Sequence, residues 1–130
     1  MNEIIIKIEE TTFQKGSSKF DGYEITTNKQ IIQFGIDNCQ QCCESWGYFS
    51  SEDNLNEFIG AKLLDIQLTD TALNTKKLEK QGLSREDNTM FVTFKTNKGL
   101  FQLTAYNGHN GFYGHDAVII SQQLTEQNDL

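Results

Sequence analysis

No proline occurs in this chain, so nothing in it can act as a stiff polyproline spacer, and no linker, internal repeat or low-complexity tract divides it. Long apolar runs are missing as well. None approaches the roughly 18 to 20 residues that a bilayer-spanning helix needs. The opening Met1-Asn2-Glu3-Ile4-Ile5-Ile6-Lys7 lacks a basic region followed by a long apolar core. These absences predict a cytoplasmic protein without membrane contact. Positive charge is scarce: 11 Lys and Arg stand against 18 Asp and Glu, a formal net charge of −7, with no dense basic run. Affinity for phosphates is carried largely by Lys and Arg displacing counterions, so direct nucleic-acid binding is not expected. Cysteine is confined to Cys39, Cys42 and Cys43, too few and too crowded for a secreted-type disulfide framework, and reduced thiols are expected.

What is present is enough for one core. At 130 residues and 37% hydrophobic content, residues 1–130 are read as a single domain, with the polar last ten residues, 121–130, as a frayed tail. The acidity suits docking on a basic protein surface, a nucleic-acid enzyme included, although in most small acidic proteins it serves solubility.

Hydrophobic residues recur mainly with the period of strands. Ile4, Ile6 and Ile8 alternate with Ile5, Lys7 and Glu9. After a polar Gln14 to Lys19 loop, Tyr23 and Ile25 lead through Thr27-Asn28-Lys29 to Ile32, Phe34 and Ile36, the layout of a hairpin. A helix is predicted over Ser51 to Gly60, with Ser51 as cap, early acids, apolar residues at helical spacing and a terminal glycine. Leu64, Ile66 and Leu68 form a further strand, and the polar Thr71 to Asn88 stretch is a loop with mobility or a short helical turn. In it, Lys76-Lys77-Leu78-Glu79-Lys80 reads as a solvated face. Met90, Val92 and Phe94, then Thr96-Asn97-Lys98-Gly99, then Phe101, Leu103 and Ala105 make a second hairpin, and Ala117 to Ile120 a short central strand. The expected fold is α+β and mainly antiparallel β, with six or seven strands and one short helix.

Two segments depart from the strand pattern in residue type: Asp37 to Tyr48, with all three cysteines and Trp46, and Tyr106 to Asp116, with both histidines and a cluster of glycines. Each follows a predicted strand, so both are expected at one end of the sheet as binding loops. Three chemistries compete there. Cys39 and Cys42 have the C-x2-C spacing, and His109 and His115 the H-x5-H spacing, of a tetrahedral zinc site. Against this stands a cysteine that is simply a small buried hydrophobe. Cys42 or Cys43 could be a nucleophile with His115 as base and Asp116, Glu44 or Asn107 orienting it. Cys43-Glu44-Ser45-Trp46 and His115-Asp116-Ala117-Val118 resemble the cysteine and histidine neighbourhoods of papain-like peptidases, but those enzymes carry the cysteine on a helix, and none is predicted here. Finally, the glycine- and asparagine-rich loop could be a partner or ligand site. Asp37, Asn38, Trp46, Tyr106, Asn107, His109, Asn110, Phe112, Tyr113 and His115 are its candidate contacts, weighed against a structural loop whose aromatics cover the core.

Asp37-Asn38, then Cys42-Cys43-Glu44, Trp46-Gly47 and Phe58-Ile59-Gly60, with the late Tyr106-Asn107, His109-Asn110-Gly111 and Tyr113-Gly114-His115, resemble a family of small uncharacterised bacterial and phage domains marked by Cys-Cys-Glu. The resemblance spans Tyr23 to Ile120, and Cys39 departs from the pattern. It implies a phage or mobile-element setting and brings no mechanism with it. Size, charge and this setting together predict a small acidic binding or inhibitor protein that occupies a host protein, a defence nuclease being one form, or sequesters a small ligand. The alternative is a thiol- or zinc-dependent hydrolase built from Cys42, Cys43, Glu44, His109 and His115. Open strand edges would permit a homodimer.

Overall fold

A computed structural model describes residues 2–39, 45–81, 88–108 and 114–130. Among the described residues nine strands are formed: β1 (Glu3–Lys15), β2 (Ser18–Thr27), β3 (Ile31–Asp37), β4 (Trp46–Ser50), β5 (Lys62–Thr69), β6 (Asn88–Thr96), β7 (Gly99–Asn107), β8 (Asp116–Ile120) and β9 (Thr125–Asp129). They make one antiparallel sheet in the order β4-β7-β6-β5-β1-β2-β3-β8-β9. The fold is thus mainly antiparallel β with one short α-helix, as expected, but with nine strands where the sequence pattern predicts six or seven.

The sheet turns over on itself, and the sequence of β1 shows where. Glu3 and Ile4 pair with Leu63 and Lys62 of β5, and the rest of the strand pairs with β2. A bulge between Ile5 and Lys7 shifts the register, and a second lies between Leu63 and Asp65 of β5. An extra residue in one strand bends it and increases its twist, so two bulges beside one short pairing make a corner. They also change which side chains face in. Ile5 and Ile8 are buried while Ile6 is 53% exposed, and Leu63 and Ile66 are buried while Leu64, at the bulge between them, is exposed. Strict alternation therefore holds for Ile8 and Ile66 and fails for Ile6 and Leu64, next to the bulges.

Across the corner the inner faces share one core. Ile25, Ile32, Phe34 and Ile36 from one half meet Val92, Phe94, Phe101 and Leu103 from the other. Phe94 and Phe101, cross-strand partners, stack at 4.8 Å with planes 7° apart. The two predicted hairpins are both present, on the predicted faces. On the outer surface, Phe13 and Phe20 stack at 5.6 Å over Val118. Gly35 beneath them has no room for a side chain, since a Cβ there would lie 2.7 Å from the Asp21 carbonyl oxygen and 2.9 Å from the Phe13 ring.

Several expectations are corrected. The Gln14 to Lys19 loop is a tight turn at Gly16, whose φ of 64° is left-handed, between long strands. The Ser51 to Gly60 helix is only a 3₁₀ turn, Leu55–Phe58, capped by Asn54, which accepts from the Asn56 amide at 3.1 Å. Ser51 cannot cap it because both its amide and its hydroxyl are used against Gln102 of β7, at 2.8 and 2.9 Å, continuing the β4–β7 edge. The Thr71 to Asn88 loop does carry a helical turn, α1 (Thr75–Lys80), which lays Leu78 on Phe91 and Tyr106. Within it Lys77 is not simply solvated: its Nζ donates to the Ser50 carbonyl at 2.8 Å and pairs with Asp53 at 2.7 Å. The polar tail is ordered as β9 and ends in a buried Leu130. Among the described residues no helix is long and apolar enough to cross a membrane.

Candidate functional site

The flanks of the two unusual segments do meet at one end of the sheet. Asp37 ends β3, Trp46 begins β4, Asn107 ends β7 and His115 precedes β8. Trp46 is the register partner of Asn107, and the Gly108 amide donates to the Ser45 carbonyl at 2.8 Å. His115, 1% exposed, stacks on Trp46 with ring centroids 5.2 Å apart and planes 29° from parallel. Its Nδ1 lies 2.7 Å from the Asp37 carbonyl oxygen. A carbonyl only accepts, so Nδ1 carries the proton, and in the neutral ring the lone pair lies at Nε2. Leu130 closes the cluster: its backbone exchanges two hydrogen bonds with His115, and its carbonyl accepts from Asn107 Nδ2 at 3.0 Å.

The other candidates are placed differently. Asn38 donates to Asp21 at 2.9 Å, and the Asp37 carboxylate accepts from the amide of exposed Cys39 at 2.8 Å. Tyr106 projects from the opposite face of β7 to Asn107. There it packs with Phe49 and Leu78 and donates to Gln81 at 3.0 Å, so it is part of the α1 side and does not reach the loop end. Cys42, Cys43, Glu44, His109, Asn110, Phe112 and Tyr113 lie outside the described residues. Of the four residues with zinc-ligand spacing only Cys39 and His115 are described. Among the described residues no three His, Cys, Asp or Glu side chains are grouped to hold a metal ion.

A second feature was not anticipated from the sequence. Between the β1–β2 rim and β4 lies an open groove of about 430 Å³. Glu10 and Tyr23 are register partners on β1 and β2, and the Tyr23 ring meets Tyr48 of β4 edge-on at 5.4 Å. Burial, then the charge of Glu10 and the neighbouring Tyr48, hold the Tyr23 hydroxyl well above its ordinary range. Burial followed by Glu10 and Asp21 raises Tyr48. Glu52, Asp53 and Lys77 form the far wall. One signal was available: the period of β1 puts Glu10 on the same face as buried Ile8, a charge aimed inward.

The fold and these two sites define an antiparallel β domain with a packed loop end and an acidic, tyrosine-lined groove. The chain matches the domain of unknown function DUF7448 over residues 1–119 and belongs to that family. No curated protein and no solved structure matches it.

Proposed function

We propose that this protein is a non-catalytic binding protein, encoded by a phage or mobile element, that occupies a basic host protein, in one form a defence nuclease, or sequesters a small ligand. The observation that carries this reading is the setting of His115. Among the described residues the histidine considered as a base, His115, is 1% exposed and covered by the stacked indole of Trp46, so its ring serves the packing of the loop end. The formal charge of −7 favours encounter with a basic partner. The test is affinity capture from host lysate, followed by reconstitution with the purified partner and native mass spectrometry. A stoichiometric complex is expected, and recovery of no partner counts against the reading.

One observation favours a second reading, a thiol- or zinc-dependent hydrolase using Cys42 or Cys43 with His109 and His115. An Nδ1–H bonded to a backbone carbonyl is how base and metal-ligating histidines are commonly oriented. Native mass spectrometry of protein purified without chelator separates the two: added mass of one zinc ion promotes the hydrolase.

A further inference from the structure

We propose that the groove between β1–β2 and β4 receives an ammonium or guanidinium group, presented as a lysine or arginine side chain of the partner protein. The inference rests on reading the chain as a binding protein and says where the partner's basic group goes.

Acidic side chains alone would not define such a site, because most are solvated. Here the groove is lined by four carboxylates, Glu9, Glu10, Glu52 and Asp53, against one ammonium, Lys77. Glu9 pairs with Lys7 at 3.2 Å and Asp53 with Lys77 at 2.7 Å, while no ion pair is formed by Glu10 or Glu52 among the described residues. The independent observation is Tyr23. It is 5% exposed and lines the groove, yet its hydroxyl makes no hydrogen bond to any described residue, and neither does that of Tyr48 beside it. The Tyr23 ring is buried while its hydroxyl opens onto the groove, where no described side chain or backbone group bonds it and water or a ligand can. A donor-rich cation seated between Tyr23, Tyr48 and Glu10 would supply that bond, with the ring faces adding cation–π attraction.

The far end of the groove already shows the chemistry. Lys77 Nζ is held there by the Asp53 carboxylate and the Ser50 carbonyl. The near end offers a carboxylate and two phenols to a second cation. A groove of about 430 Å³ is of the size that takes a side chain or small ligand. Two neutral phenols and one carboxylate suit an organic cation with several N–H donors better than a bare metal ion, which would draw on more charged oxygen.

The test is amide chemical-shift titration of the full chain at low salt with acetyl-Gly-Arg-Gly-amide, acetyl-Gly-Lys-Gly-amide, the uncharged norleucine analogue and spermidine. Saturable shifts confined to Glu9, Glu10, Tyr23 and Tyr48 to Glu52 are expected with the charged peptides and not with the analogue. Glu10→Gln and Tyr48→Phe, both at partly open positions, should each weaken binding by about tenfold, the loss of one charge-assisted hydrogen bond. Diffuse, non-saturating shifts over the acidic surface, or full affinity in both variants, would overturn the site. Tighter binding of spermidine than of either charged peptide would overturn its assignment to a protein side chain. If the peptides bind the groove as expected but host lysate yields no partner, the proposed function fails while the cation specificity of the groove stands.

Discussion

The indole of Trp46 lies over the imidazole of His115, which in turn donates from Nδ1 to the carbonyl of Asp37. Three strand ends, those of β4, β8 and β3, are thereby joined through one ring. Replacing His115 with Ala removes the stack and leaves the Asp37 carbonyl without this donor. A loss of about 2–3 kcal/mol is expected, read from urea unfolding. Trp46 is the only tryptophan, so its emission reports the same event directly.

The same substitution bears on catalysis. In a non-catalytic protein, labelling of the cysteines by iodoacetamide near neutral pH should not slow in His115→Ala. Labelling slower than wild type by about tenfold or more would instead identify His115 as the base of a thiolate pair. Loosened packing can only accelerate labelling, so the two outcomes do not mimic one another.

At the opposite end of β1, Glu3 is buried and accepts from Thr27, from Gln30 at 2.9 and 3.0 Å, and from Gln123 at 2.7 Å. Burial pushes its carboxyl upward, but the hydrogen bonds from Thr27, Gln30 and Gln123, with the charge of Lys29, outweigh burial and hold it below the ordinary value of 4.5. A depressed folded-state pKa gives stability that is present above the unfolded value and lost as pH falls through the folded one. Glu3→Gln should therefore be less stable than wild type at neutral pH, with the difference shrinking in acid. Melting temperatures of both proteins measured from pH 7 down to about pH 3 check this.

Gly35→Ala tests the outer cluster. The added methyl meets the Asp21 carbonyl and the Phe13 ring, neither of which can move without breaking the β2–β3 ladder or the Phe13–Phe20 stack. A cost of about 2–3 kcal/mol is expected in denaturant unfolding. An unchanged midpoint would mean that Phe13 swings aside freely.

Deleting residues 125–130 removes β9 together with the backbone pairing of Leu130 to His115 and its bond to Asn107. The shortened chain should unfold at lower denaturant and show altered Trp46 emission, because His115 loses its backbone tether. A midpoint equal to that of the full chain would make the strand dispensable.

Local pattern was enough for both hairpins, since Ile32, Phe34, Ile36 and Phe101, Leu103, Ala105 alternate without interruption. It failed where geometry is not periodic. A bulge inserts one residue and reverses the faces after it, so Ile6 reads as core and lies outside. β4 escaped notice because Trp46-Gly47-Tyr48 has no alternation, and its place is set by pairing with distant β7. Thr125 to Asp129 is polar because it is an edge, and polarity alone reads as a frayed end. The approach of Asp37, Trp46, Asn107 and His115 was foreseeable from both segments following strands. The groove was not, because Tyr48 of β4 reaches the Glu10–Tyr23 pair of β1 and β2 only when the sheet folds over.

That fold-over also sets the order of events in folding. The β2–β3 and β6–β7 hairpins join neighbours in sequence and can form on the microsecond timescale of local contacts. Closure must wait for Glu3 and Ile4 to find Leu63 and Lys62, and for β4 to find β7, pairings that close long loops. The protein should therefore be a slow folder for its length, and mutations at the Ile5 and Leu63 corner should act on its folding rate more than those in either hairpin turn.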